Sequence, residues 1–231
     1  MSLAPLHVRW LGRTRYRDAL ALQQALNQRG RDNWLLCQEH EPTYTMGVRT
    51  DPANLLVDPA DVGAELVRAD RGGDVTFHGP GQLTVYPVLT LPGRGGGDKP
   101  DTVAYVRAVE QTVIDTLGDL GLAHGTRLED YPGVWVAPPD ERPRKIAAIG
   151  VRLARNRTLH GVALNVDVDL EWFGHIVPCG IAEYGVTSLA AEGVAATMAE
   201  VTDAFVGRAV SRWAPGDDAV PEPTAGWDRA D

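Results

Sequence analysis

Between Arg144 and Val168 the chain reads "RKIAAIGVRLARNRTLHGVALNVDV". Two apolar runs rich in β-branched residues flank a polar segment far too short to hold a crossover helix, so they pair as an antiparallel hairpin. With Asn156 and Arg157 as the turn, Val151 faces Val162, Leu153 faces His160, and Gly150 lies opposite Ala163. Strand alternation then places Lys145 on the face of Ile149, Val151 and Leu153, a face apolar enough to be buried.

A lysine on such a face stands out in this chain. Of its 22 basic residues only Lys99 and Lys145 are lysine. Arginine does not release its proton near neutral pH, so a position that needs a titratable amine cannot follow the bias towards arginine. Lys99 lies in the glycine-rich loop "GRGGGDKPD" and is expected to be solvated. For Lys145, burial disfavours the ammonium and makes the neutral amine accessible as a general base; the alternative is a strand-end lysine that reaches solvent along its own stem.

The rest of the chain reads as alternating strands and a few helices. "YRDALALQQALNQRG" is an amphipathic helix with Leu22 and Leu26 one turn apart. A second helix runs from Asp101, its cap, to Leu120; Val106, Val109, Val113, Leu117 and Leu120 form its stripe and Gly121 closes it. A third starts at the capping box of Thr197 and Glu200 and continues to Trp213. "NWLLCQEH", "LTVYPVLTL" and "PGVWVAP" are strands, and "EPTYTMGVRTDP" is a loop. No regular βαβ alternation is present, which predicts an α+β fold with a mixed or antiparallel sheet. We expect one domain over residues 1–213, then an acidic, proline-rich and mobile tail over 214–231.

Composition narrows the function classes. A net charge of -9 argues against non-specific nucleic-acid binding. No apolar run approaches a membrane span, and the N-terminal stretch lacks a signal peptide's charged start and apolar centre, so a cytoplasmic location is expected, with no membrane partner. In that setting Cys37 and Cys179 are single thiols: Cys37, at a strand end, reads as core, whereas Cys179 sits in an irregular "PCG" turn where a thiol can border a cavity.

"RGGDVTFHGPGQLTVYPV", Arg71 to Val88, is no phosphate loop, because its glycines lead into a strand and no helix N-terminus follows. A glycine-rich loop feeding a strand lets backbone amides approach a ligand; a surface turn is the plainer reading. Cys179 with Lys145 forms one candidate pair for thiol chemistry, and Cys179 with His160, His175 and Asn165 holds the residue types of a Cys/His/Asn hydrolase without its local signature. No close Cys/His spacing indicates a metal site.

Taken in order, "EHEPTYTMG", "RGGDVTFHGPGQLTVYPV", "KIAAIGV", "HGVALNV", "PCGI" and "GVTSL" resemble the lipoyl(octanoyl) transferase family, over roughly Glu39 to Leu189. The resemblance implies the single-domain α+β catalytic fold of biotin and lipoate protein ligases, with a mixed, largely antiparallel sheet and flanking helices. It implies transfer of an octanoyl group from octanoyl-acyl carrier protein to a lysine of lipoyl domains, those of 2-oxoacid dehydrogenase E2 subunits and the glycine-cleavage H protein. The family's cysteine falls on Cys179 and its lysine on Lys145. Its substrate-lining segments fall on Arg71, Gly72, Gly73, Asp74, Val75, Thr76, Phe77 and His78, on Ala148, Ile149 and Gly150, and on Gly161, Val162 and Ala163. No cofactor is implied. The small residues among them would leave room for an alkyl chain, with Arg71 and His78 at the rim. The run Arg142, Arg144, Lys145, Arg152, Arg155 and Arg157 would present a basic surface to an acidic carrier. Rival readings are an ATP-dependent lipoate ligase of the same fold and a non-catalytic acyl-binding module.

Overall fold

A computed structural model describes residues 5–178, 184–214 and 219–221. In chain order its strands are β1 (Leu6–Thr14), β2 (Asn33–His40), β3 (Thr43–Met46), β4 (Glu65–Arg68), β5 (Val75–His78), β6 (Gln82–Val88), β7 (Gly125–Leu128), β8 (Tyr131–Val136), β9 (Arg144–Ala154), β10 (Arg157–Asn165), β11 (Gly185–Val186) and β12 (Ala219–Pro221). The α-helices are α1 (Tyr16–Arg29), α2 (Thr102–Asp119) and α3 (Met198–Trp213).

The large sheet runs β12-β1-β2-β6-β10-β9-β8-β7, with β11 added to β9. From β2 to β7 every neighbouring pair is antiparallel; β1 is parallel to β2 and β12, and β11 is parallel to β9. A second sheet, β4-β3-β5, is formed partly by a segment the sequence reads as a loop. Thr43–Met46 is instead a wholly buried strand between two neighbours, so tertiary pairing overrides the turn-like "EPT" before it. "HGPG" is the crossing from β5 in the small sheet to β6 in the large one.

Val109, Val113 and Leu117 of α2 and Val201, Phe205 and Ala209 of α3 pack with Val85, Val162, Leu164 and Val166 in the main core, on one face of the large sheet. Both caps behave as the sequence predicts: Asp101 accepts from the Ala104 amide, and Thr197 with Glu200 forms a reciprocal capping box. On the opposite face α1 packs through Tyr16 and Ala19, and its buried positions also include Gln23 and Asn27, while Leu22 is 36% exposed. Of the leucine pair Leu26 packs against this cluster while Leu22 turns out, because the surface the helix meets also offers polar partners such as the His160 amide, which donates to Gln23 Oε1 at 2.7 Å.

The hairpin turns at Arg155 and Asn156, both at positive φ (56° and 61°), the requirement of a tight hairpin turn, and not at Asn156 and Arg157. The register moves accordingly: His160 faces Val151, Thr158 faces Leu153, Gly161 faces Gly150 and Ala163 faces Ala148. Arg157 becomes a buried strand residue, donating to Thr90 Oγ1 and the Asp32 carbonyl. Within the expected tail, Ala219–Pro221 pair with β1. Among the described residues no helix is long and apolar enough to cross a membrane.

Glu110 ties α2 to the end of the sheet. Its carboxylate, 2% exposed, accepts from Arg127 Nε (2.9 Å), Arg107 Nη1 (3.1 Å) and the Gly133 amide (3.2 Å). Glu110→Ala leaves these donors without their shared acceptor and is expected to destabilise the protein by at least about 2 kcal/mol, read from urea midpoints.

Candidate active site

Along β9 the pairing with β8 slips by one residue. Val134 faces Ala147 and Trp135 faces Lys145, so Ile146 is an extra residue, a β-bulge. Ile146 and Ala147 consequently both enter the main core, while Lys145 and Ala148 border the same cavity on the other face. The expectation that Lys145 shares the face of Ile149, Val151 and Leu153 is thus corrected: regular alternation would have sunk its amine under α2, and the bulge brings it out on the opposite side.

There Lys145 is buried at 6% exposure, and its Nζ lies 4.7 Å from the ring centre of Trp135. It borders two spaces. An open groove of about 510 Å³ is lined by Lys145, Arg49, Val106, Asp130, Tyr131 and the Gly72–Asp74 backbone region. A smaller inner cavity adds Thr76, Gln82, Asn165, Phe173 and Pro178. Cys179 and the four residues after it lie outside the described residues. Their flanks do not: Pro178 shares the inner cavity with Lys145, and Tyr184 packs edge-on against Trp135 with ring centres 5.4 Å apart.

A narrow cleft of about 40 Å³ shares Gly73, Asp74, Ile149 and Gly150 with the groove and runs between the large sheet, the small sheet and α1. The expected segments meet around it. Arg71, Gly73, Asp74, Thr76 and His78 form one wall; Ala148, Ile149, Gly150, Gly161, Val162 and Ala163 form the other, and Gly72 lines the groove. Val75 and Phe77 turn away into a separate core with Tyr44, Val168 and Phe173, as strand alternation requires. Tyr16, Thr84, Tyr86 and His160 also line the cleft. Only His160 carried a sequence signal; the others reach the cleft through the packing of α1 and β6.

Arg71 and His78 are not at the rim. Both are 6% exposed. Arg71 Nη2 donates to the carbonyl and the hydroxyl of Thr45, both at 2.7 Å, and Nη1 to its neighbour's carbonyl, so the guanidinium staples the loop to β3. Glycine serves close packing here and not spare room. A Cβ on Gly150 would stand 2.8 Å from Arg71 Cδ, and one on Gly161 would stand 2.1 Å from the Val85 carbonyl oxygen.

The polar end of the cleft is a set of buried histidines. His160, held at a φ of 59°, donates through Nε2 to Asp70 (2.7 Å) and faces the Tyr16 hydroxyl through Nδ1. His40 donates through Nδ1 to the Thr14 carbonyl and accepts from the Tyr86 hydroxyl at 2.8 Å. Burial lowers His40 to about 4. Burial, then the Arg71 and Arg152 charges, lower His160 to about 3, and Arg152 also binds the Asp70 carboxylate. Burial, then the neighbouring His40 ring and the Arg71 charge, also hold His78 well below the usual histidine range. His175 is bonded to Tyr44, and Asn165 is occupied by Gln82 and the Thr187 carbonyl. Among the described residues no histidine borders the cavity of Lys145 and Pro178. Cys37 is wholly buried, and burial raises its thiol far above the usual range, so it is core.

The sequence matches the family model of the lipoyl protein ligase A/B catalytic domain over residues 15–209. The chain belongs to this family. Its curated relatives include octanoyltransferases of Thermobifida fusca, 47% identical over 83% of this chain and 81% of that protein, and of Salinispora arenicola, 52% identical over 68% and 70%. These place the chain in the octanoyltransferase branch. The fold is that of lipoate ligases: the bi-partite lipoate protein ligase of Thermoplasma acidophilum superposes with a TM-score of 0.73 at 20% identity, covering 98% of this chain and 90% of that one. A lipoate-protein ligase A bound with ATP gives 0.70 at 20% identity, covering 98% and 92%.

The basic run expected to receive an acidic carrier does not form a patch on this family member. Arg144 is held by Glu141 and Glu192, Arg152 by Asp70, and Arg157 and Lys145 are buried. Arg142 and Arg155 alone of the six are exposed and without an ion pair among the described residues.

The buried histidines predict an acid sensitivity. A histidine kept neutral in the folded state and protonated in the unfolded state stabilises fully above its unfolded pKa near 6.5, and that stability is lost as pH falls below it. Between about pH 6 and 5 each such histidine contributes roughly 1 kcal/mol of loss per pH unit. Urea midpoints should therefore fall steeply over that interval, and His40→Asn and His160→Asn should each flatten the slope.

Proposed function

We propose that this acyltransferase moves an octanoyl group in protein lipoylation, with Cys179 carrying the acyl group as a thioester and Lys145 managing its proton. The observation that carries the reading is the placement of Lys145. The bulge sets Lys145 in the cavity that Pro178, the residue before Cys179, also borders, and beside the open groove that shares Gly73, Asp74, Ile149 and Gly150 with the narrow cleft. The narrow cleft suits an unbranched chain, and the open groove gives an approach for a thioester arm and later for an acceptor side chain.

In the first step the Cys179 thiol gives its proton to Lys145 and its sulfur attacks the donor's thioester carbon. The new carbon–sulfur bond replaces the donor's, and the departing thiolate takes the proton back. In the second step the acceptor lysine's amine attacks the enzyme thioester; an amide forms, one amine proton returns through Lys145 to sulfur, and Cys179 is restored. A thioester already suffices to acylate an amine, so no nucleotide enters. We assign octanoyl-acyl carrier protein as donor and lipoyl domains of 2-oxoacid dehydrogenase E2 subunits and the glycine-cleavage H protein as acceptors. The cytoplasmic setting, and residues 1–213 as the catalytic unit, belong to the same proposal.

Incubation with octanoyl-acyl carrier protein in the absence of ATP should add one octanoyl mass, removable by hydroxylamine and absent from Cys179→Ala. Lys145→Met should slow the acylation by about 100-fold or more. An undiminished adduct on Cys179→Ala, or transfer that begins only when ATP is added, would contradict the mechanism.

A further inference from the structure

The Lys145 side chain is only 6% exposed and borders both the groove and the inner cavity, and among the described residues no side chain forms a hydrogen bond or ion pair with its amine. Its contact is the face of Trp135. We propose that Trp135 is the positioning residue of the site, holding the Lys145 ammonium by its ring face at the point where the thiol chemistry needs it.

The ring is itself fixed. Trp135 is 1% exposed, its Nε1–H donates to the Tyr131 carbonyl at 3.0 Å, and Tyr131 and Tyr184 pack edge-on against it. The bulge makes Trp135 and Lys145 direct cross-strand partners. Gly133, two residues earlier on β8 at a φ of 125°, clears the lysine stem: a Cβ there would meet Lys145 Cε at 3.3 Å and the Ala147 carbonyl oxygen at 2.6 Å.

An aromatic face suits this task better than a carboxylate. It attracts an ammonium through the ring quadrupole without accepting any of its three N–H bonds, which stay available for a thiolate. A carboxylate would compete with the thiolate for both charge and hydrogens. The charged and titratable groups that share the groove with Lys145 are Arg49, Asp74, Asp130 and Tyr131. Glu110, behind Gly133, is engaged by Arg107 and Arg127, and the adjacent Arg144 by Glu141 and Glu192.

This inference rests on the assignment of Lys145 to the thiol chemistry, and two readouts separate them. Because the chain holds only Lys99 and Lys145, lysine labelled with ¹³C at Cε gives two signals. One should be displaced upfield by the indole ring, an effect that Trp135→Leu abolishes and that does not depend on Cys179. The second readout is the pH midpoint of Cys179 alkylation in the full-length protein. It should rise by roughly half to one unit in Trp135→Leu and stay near wild type in Trp135→Phe, which keeps a ring face. Should the leucine variant fail to fold, tetrafluorotryptophan placed at position 135 preserves the shape, weakens the face, and should raise the midpoint in the same direction. An upfield signal that persists in Trp135→Leu, or a midpoint unmoved by fluorination, overturns the proposal. If instead the ring-shifted signal is present but Lys145→Met leaves alkylation unchanged, the assignment of Lys145 to the thiol chemistry is what has failed.

Discussion

Ile146 finds no partner on β8, and the rest of the site depends on that slip of one residue. Two consecutive side chains, Ile146 and Ala147, drop into the core under α2, and the strand resumes alternation with Lys145 on the far face. Ala148 and Gly150 then fall on that face as well, opposite Ala163 and Gly161 of β10. The same interruption that moves the amine also pairs it with Trp135. A bulge is a local loss of ladder pairing, and here it is bordered by Gly133, whose lack of a side chain admits both the Ala147 carbonyl and the lysine stem.

Opposite this wall the small sheet supplies the other half of the cleft. Arg71 fixes it by donating to Thr45 on β3, and Gly150 lets the arginine stem lie directly on β9. The histidines behind it stay neutral because they are buried, and their partners are neutral hydroxyls and carbonyls apart from Asp70, whose charge is shared with Arg152. The histidines therefore add no charge to the cleft, whose charged lining groups are Arg71, tied to Thr45, and Asp74.

Much of this was legible in the residues. The caps at Asp101 and Thr197, the stripe of α2, the α+β class and the convergence of the three segments expected to line the substrate all follow from local pattern or from the resemblance, because helix caps and apolar periodicity act within a few residues. What local pattern could not supply was anything decided by a partner strand. The bulge depends on how β8 meets β9; the shifted hairpin turn depends on which two residues take positive φ; and the strand at Thr43–Met46 exists because β4 and β5 flank it. Trp135 reads as one more apolar strand residue until its pairing with Lys145 is known. Gly150 and Gly161 suggested empty space, whereas neighbouring backbone and side chain fill it.

The proposed mechanism requires that Lys145 and Cys179 meet in one cavity. o-Phthalaldehyde gives a fluorescent isoindole only where an amine and a thiol lie in direct contact, and this chain has two lysines and two cysteines, one of them the buried Cys37. One isoindole is expected, mapped by peptide mass to Lys145 and Cys179 and absent from both Lys145→Met and Cys179→Ala. No isoindole in the wild-type protein, or one that survives in Lys145→Met, would contradict it.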